Sequence, residues 1–266
     1  FYPKGTRSTD FLHLYSRRFT TVEGNTTFYA VPNQETVKRW AAQTPPEFKF
    51  CLKLPRNITH NGSLKPYIDD ALKFAEIIRP LGSRLAPMFA QLPPSYAPSS
   101  LEDLTAFIES WQQTQLPLAI EVRHRDWFKQ PLADKLTNLL QEFGIGKVIL
   151  DSRPIYTVED DPQLGSERRK PQLPVDFNVT APFTLIRFIS HPNLPINQPF
   201  MEEWVTYIQQ WLQSGKQVYF FVHCPQEEKS PWAARHFQNL LEQRDVGVSP
   251  LPGDQNDSHP KQLSLW

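Results

Sequence analysis

Hydrophobic positions along this chain switch back and forth between two spacings. In STDFLHLYSRRF, Phe11, Leu14, Tyr15 and Phe19 recur at the interval of a helix face, with Ser8 or Thr9 as a candidate cap. In TTVEGNTTFYAV the period drops to two, setting Val22, Gly24, Thr26 and Phe28 against Glu23, Asn25 and Thr27. NQETVKRWAAQ returns to helical spacing and FKFCLKL alternates again. The rhythm continues with a helix in YIDDALKFAEIIRPLG, a strand in APMFAQLPP, a helix in SSLEDLTAFIESWQQ opened by a capping box from Ser99 to Glu102, and a strand in LAIEVRH. PLADKLTNLLQEFG reads as a helix and GKVILD as a strand.

Residues 152–182 break the pattern. They are rich in proline and charge and hold no sustained period, which marks a long functional or ordering loop. Strand FTLIRFIS, helix FMEEWVTYIQQWLQSG, strand QVYFFVH and helix SPWAARHFQNLLEQR follow. Strands separated by helices imply parallel pairing with right-handed crossovers. Seven strands behind a leading helix predict a TIM-type (β/α) barrel whose first strand lies upstream of residue 1. A doubly wound open sheet is the alternative, but it favours a glycine-rich first turn that is absent. The expected organisation is a single α/β barrel domain over 1–248 and a tail over 249–266, the tail opening with a proline- and glycine-rich linker.

Composition narrows the function. With 28 basic and 28 acidic residues the net charge is zero, so nucleic-acid binding would need a local basic groove. The 10 glycines are set in no phosphate-cradling motif, and no GxSxG elbow occurs. No run reaches the roughly 18 apolar residues of a membrane span. Cys51 and Cys224 lie far apart in apolar stretches and read as reduced core thiols, which suits a cytoplasmic protein without membrane partners.

In a barrel of this type, chemistry gathers at the C-terminal ends of the strands. Those ends carry Glu23 and Asn25, Lys53 with His60 in the following loop, Gln91, Glu121 with Arg123 and His124, Asp151, Arg187 with His191, and His223. Such polar residues need partners or a task. One reading is a buried ion-pair lattice, Glu23 with Lys53 and Glu121 with Arg123 or Arg187. The other, favoured by convergence from nearly every strand, is a site. There Lys53, Arg123 and Arg187 hold a phosphate or carboxylate, with Asn25, Gln91 and Asp151 as further substrate contacts. Glu23 or Glu121 is then the candidate general base, and His60 or His124 the candidate proton donor. The histidines and acids could also furnish a divalent metal site, but with no HxH or HExxH pair this is the less favoured reading. Trp127, Phe128 and Trp232 could stack on a base or sugar, although shielding of the helix–strand layer is the commoner use.

FYPKG, FTTVEGNTTFYAVP, FKFCLKLPRNITH, FAQLPPSY, AIEVRHRDWF, RRKPQLP and SPWAARHFQNLL together resemble the successive blocks of the YecE-like family, a domain of unknown function. The resemblance runs over nearly the whole chain. It implies a TIM-type barrel and a block of the type GxxxW ahead of FYP. It brings no agreed reaction. The implied barrel is similar in kind to metal-dependent sugar isomerases and abasic-site endonucleases, a likeness of fold alone.

The final residues, QLSLW, resemble the peptide by which bacterial DNA-processing proteins dock on the replication sliding clamp. Gln262 would hydrogen-bond, while Leu263, Leu265 and Trp266 would fill an apolar pocket. The opposing reading packs Leu265 and Trp266 onto the barrel itself. The favoured expectation is a DNA-associated enzyme or binding protein acting on a phosphate-containing substrate, hydrolase-like or isomerase-like if catalytic. Arg168, Arg169 and Lys170 would add to a basic groove. A small-molecule enzyme for a sugar or carboxylate, and a non-catalytic adaptor, are the alternatives.

Overall fold

The computed structural model describes residues 1–164 and 169–253. Its strands are β1 (Thr21–Gly24), β2 (Lys49–Leu52), β3 (Met88–Gln91), β4 (Leu118–Glu121), β5 (Gly146–Asp151), β6 (Phe183–Ile189) and β7 (Gln217–His223). All paired strands are parallel. β1 and β2 form one sheet, and β3 to β7 a second in sequential order. Parallel bridges from Phe50 to Leu85 and from Lys53 to Phe89 stitch β2 to β3. This is a mixed α/β fold with parallel sheets, and among the described residues a closed barrel is not detected: no ladder joins β7 to β1.

The sheets are nonetheless curved. Cys51, Phe89, Ala119, Val148, Leu185 and Phe221 come from six different strands and pack as one interior cluster. The opposite faces are covered by helices whose apolar residues recur at helical spacing, as with Ala71, Phe74, Ala75 and Ile78 on helix Ile68–Ile78. β1 and β2 approach closely because Gly24 lacks a side chain. A Cβ there would stand 2.4 Å from a methyl of Leu52.

Several local expectations need correction. The alternation read across 20–31 is a strand only to Gly24, and Thr26–Tyr29 form a helical turn. Thr27 drives the change, because its hydroxyl donates to the carbonyls of Gly24 and Lys53 and turns the chain over the strand end. No capping box forms: helix Leu101–Trp111 begins behind a short 3-10 turn without a side-chain cap bond. Asp103 in its first turn instead accepts from the backbone N–H groups of Leu64 and Lys65. Neither Ser8 nor Thr9 caps the first helix, Phe11–Tyr15. The helix read over 200–215 starts earlier, running Leu194–Gln213 with Pro199 inside it. The tail peptide, including Gln262, Leu263, Leu265 and Trp266, lies outside the described residues.

A cation-rich cavity above a buried ion cluster

Arg187 sits in the middle of β6 at 2 % exposure and holds two carboxylates. Its Nε and Nη2 donate to Glu23 at 2.8 and 2.9 Å, and its Nη1 donates to Glu121 at 2.7 Å. Glu121 also accepts from Arg123 Nε at 2.7 Å. Glu23 accepts from the Asn25 amide at 2.7 Å and lies 3.0 Å from His223 Nε2. The cluster therefore ties β1, β4, β6 and β7 together at one level.

Burial alone would raise both carboxyl pKa values, but the guanidinium of Arg187 outweighs it. Glu23 is held well below the usual carboxylate range with help from His223, and Glu121 is pushed down to about 2 with help from Arg123. Carboxylates so occupied are poor proton acceptors, and the general-base role expected of Glu23 or Glu121 finds no support in this geometry. Each guanidinium nitrogen of Arg187 already donates to Glu23 or Glu121, so most of its hydrogen-bonding capacity is engaged within the cluster.

A cavity of about 1290 Å³ opens above this floor and continues along the seam between β1 and β7 to the helices Leu194–Gln213 and Ser230–Gln243. Its lining includes Glu23, Asn25, Lys53, Arg56, His60, Gln91, Arg123, Arg169, Lys170 and Arg187. Lys53 is 7 % exposed and pairs with neither glutamate. Its ammonium donates to the Gln91 side-chain oxygen at 2.9 Å and lies 3.7 Å from the centre of the Phe28 ring. Burial, reinforced by Arg187 and Arg123, brings its pKa down to about 7. His60 packs edge-on against the same Phe28 ring and pairs with Thr59 through Nδ1 at 2.8 Å. Burial and the neighbouring Lys53 lower it to about 4, so it is neutral at physiological pH and carries no imidazolium proton to give.

The long loop after β5 forms part of the cavity wall. Ser152 donates to Pro171 O at 2.8 Å, and the Lys170 backbone donates to Gln163, whose amide in turn donates to Tyr156 at 3.2 Å. These bonds place Lys170 in the cavity lining, where burial and then Arg187 and Arg123 lower its pKa to about 8. Among the described residues no carboxylate lies within ion-pair distance of Lys53 or Lys170, whereas Arg169 pairs with Asp161.

Other expected site residues lie elsewhere. Asp151 is fully buried away from the cavity. It accepts from Arg153 at 2.8 Å and from the Trp204 indole at 2.8 Å. His124 accepts from the Asp126 backbone at 3.2 Å and caps a short turn. Trp127 is buried with its N–H donating to Tyr96 O at 2.8 Å, which is the shielding use, and Trp232 is exposed outside the cavity lining. Among the described residues no three His, Cys, Asp or Glu side chains converge closely enough to hold a metal ion. Lys170 is one of the expected basic-groove residues and does line the cavity, whereas Phe28 is not among the sequence's candidates. Phe28 reads as one more apolar position of a strand, and only the helical turn after Gly24 brings it under Lys53.

Fold and site together define an α/β protein of parallel strands with a cation-rich cavity at its strand ends, over a neutralised ion cluster. The chain belongs to the family described as protein of unknown function DUF72, whose model matches residues 1–256. It is 34 % identical over 258 residues to the UPF0759 protein YecE of Escherichia coli K12, covering 96 % of this chain and 92 % of that one. It is 25 % identical over 293 residues to the UPF0759 protein YunF of Bacillus subtilis, covering 100 % and 95 %. A crystal structure of a DUF72 family protein from Enterococcus faecalis superposes with a TM-score of 0.68 at 19 % identity, covering 89 % of this chain and 95 % of that one. Among the described residues no helix is long and apolar enough to cross a membrane.

Proposed function

We propose that this protein binds and acts on a phosphate-bearing ligand in the cavity. Arg123 and Lys170 hold the anion, while Lys53 and Gln91 face the remainder of the molecule. The observation that carries this reading is the charge balance of the lining. Glu23 and Glu121 are already bound by Arg187, leaving Lys53 and Lys170 without a carboxylate among the described residues. Buried and half-buried cations without a paired carboxylate among the described residues favour an anionic ligand, and guanidinium groups suit phosphate oxygens. The curved sheet with its single interior cluster supports a TIM-type barrel, in which the seam between β7 and β1 is the place of an eighth strand. The test is calorimetric titration with inorganic phosphate and glycerol 3-phosphate. Binding that weakens with salt and weakens again, roughly tenfold or more, in Arg123→Ala supports the reading, and no binding of either overturns it.

A second reading rests on the QLSLW sequence: the phosphate belongs to DNA, and the tail docks the protein on a bacterial sliding clamp. A fluorescent HPKQLSLW peptide titrated against purified clamp should then bind saturably and lose binding in Leu263→Ala and Trp266→Ala versions. An oligonucleotide titration completes the comparison, because a DNA ligand would show a steep dependence on salt.

A further inference from the structure

We infer that Lys53 is a nucleophilic amine that forms an imine with the carbonyl of a phosphate-bearing aldehyde or ketone. This rests on the anion site proposed above and names the reactive group of its ligand. Four features of Lys53 converge. The amine lines the cavity at 7 % exposure. Its hydrogen bond is to a neutral amide oxygen, Gln91 Oε1 at 2.9 Å, which can also accept from the neutral amine and brings no negative charge to hold the proton on. The Phe28 ring, 3.7 Å away, covers one side. Burial and then Arg187 and Arg123 act against its charge, opposed by Glu121 and Glu23, and among the described residues no carboxylate lies within ion-pair distance of it. A lysine desolvated beside other cations is the setting in which amines act as nucleophiles. In agreement, its pKa near 7 leaves about half of it as free amine at neutral pH, against well under 1 % for an ordinary lysine.

The step is balanced without a further reagent. The amine lone pair attacks the carbonyl carbon, forming the C–N bond, and the former carbonyl oxygen takes a proton to give a carbinolamine. The attacking nitrogen gives up one proton as the carbinolamine forms and its second as the hydroxyl takes a proton and leaves as water, so both amine protons end on that water and the C=N bond forms. The phosphate on Arg123 and Lys170 would hold the carbonyl against the amine, raising its effective concentration.

The test uses the full chain with glyceraldehyde 3-phosphate and sodium cyanoborohydride at pH 7, followed by peptide mapping. Glycerol 3-phosphate, which has no carbonyl, serves as competitor and as a separate calorimetric ligand. The expected result is reductive alkylation of Lys53 roughly tenfold or more faster than of exposed lysines such as Lys4 and Lys38, suppressed by glycerol 3-phosphate. Lys53→Arg should lose the selective adduct. Binding of glycerol 3-phosphate without selective labelling of Lys53 overturns the imine and leaves the anion site standing. Selective labelling that glycerol 3-phosphate does not suppress keeps the nucleophile and overturns the anion site. Neither binding nor selective labelling overturns both.

Discussion

Two arginine–carboxylate clusters built on buried carboxylates lie at the strand ends of this fold, and they differ in what stands above them. At the end of β5, Asp151 is held by Arg153, two residues away, and by the Trp204 indole. Glu203 adds a second bond to Arg153 at 2.7 Å. Phe200 and Phe177 lie against the guanidinium, and the cluster is closed by helix Leu194–Gln213. The Arg187 cluster instead gathers groups from four strands, and its upper surface is the floor of the cavity. In isolation the residue types are the same. A local pair closed by aromatic rings secures a loop, whereas a cluster assembled from distant strands forms the floor of a cavity whose Lys53 and Lys170 have no carboxylate within ion-pair distance among the described residues.

The largest effect should come from Arg187→Ala. It leaves Glu23 and Glu121 buried with much of their compensation gone, and loss of one partner from a buried ion pair costs roughly 3–5 kcal/mol. Urea unfolding should show this directly. The same cluster sets the acid limit. Both carboxyls have folded pKa values below their unfolded ones, so their stabilisation is complete above the unfolded value near ~4.3 and is lost as pH falls toward the folded values, about 2 for Glu121. Arg187→Ala should therefore flatten the melting-temperature profile between pH 5 and 3. A profile as steep as that of the parent would count against the assignment.

Trp204→Phe, in the closed cluster, should cost less, roughly 1.5–3 kcal/mol for a hydrogen bond to a charged acceptor. Asp151 keeps its three bonds from the Arg153 backbone and side chain, so no charge is stranded. Phosphate affinity should be unchanged within error. Lost affinity would show that the two clusters are coupled.

How far this contrast could be read from the sequence depends on which interactions are local. Parallel strand order and helix faces were legible, because each is a periodicity within a segment. Glu23, Lys53, Gln91, Arg123 and Arg187 were found as polar residues at strand ends, and the structure brings them together. Partner choice was not legible. The ion-pair alternative sets Lys53 against Glu23, but Arg187 on β6 reaches both glutamates, and sequence separation carries no sign of that. Asp151 looked equally reactive at its strand end; the indole that covers it lies on a helix more than fifty positions later. Phe28 was hidden because alternation of small polar residues around Gly24 resembles a strand, while the Thr27 hydroxyl folds the chain into a turn.

Arg123→Ala should leave the fold nearly intact, because Glu121 keeps its bond to Arg187 at 2.7 Å. Its effect should fall on ligand affinity, roughly 10- to 100-fold weaker for glycerol 3-phosphate, the range expected for loss of a charge-assisted bond. Calorimetry beside a melting curve separates the two. A large drop in melting temperature with unchanged affinity would move Arg123 from the site to the scaffold.

The smallest effect is a pH dependence in which binding and stability move in opposite directions. Lys53 and Lys170 have folded pKa values of about 7 and about 8, both lowered from 10.5, with burial the largest cause. As pH rises through these values the folded protein loses protons that the unfolded chain keeps, so stability rises with pH across roughly 7 to 10. An anion in the cavity favours the protonated lysines, so its affinity falls over the same interval, by several-fold on the scale of one partly screened charge. Sulfate is the appropriate probe, since its own charge is constant over this range. Lys53→Met should remove its share of both slopes and leave that of Lys170. If sulfate affinity stays level while stability climbs, the lysines titrate without meeting the anion, and the cavity's excess of positive charge serves the fold rather than a ligand.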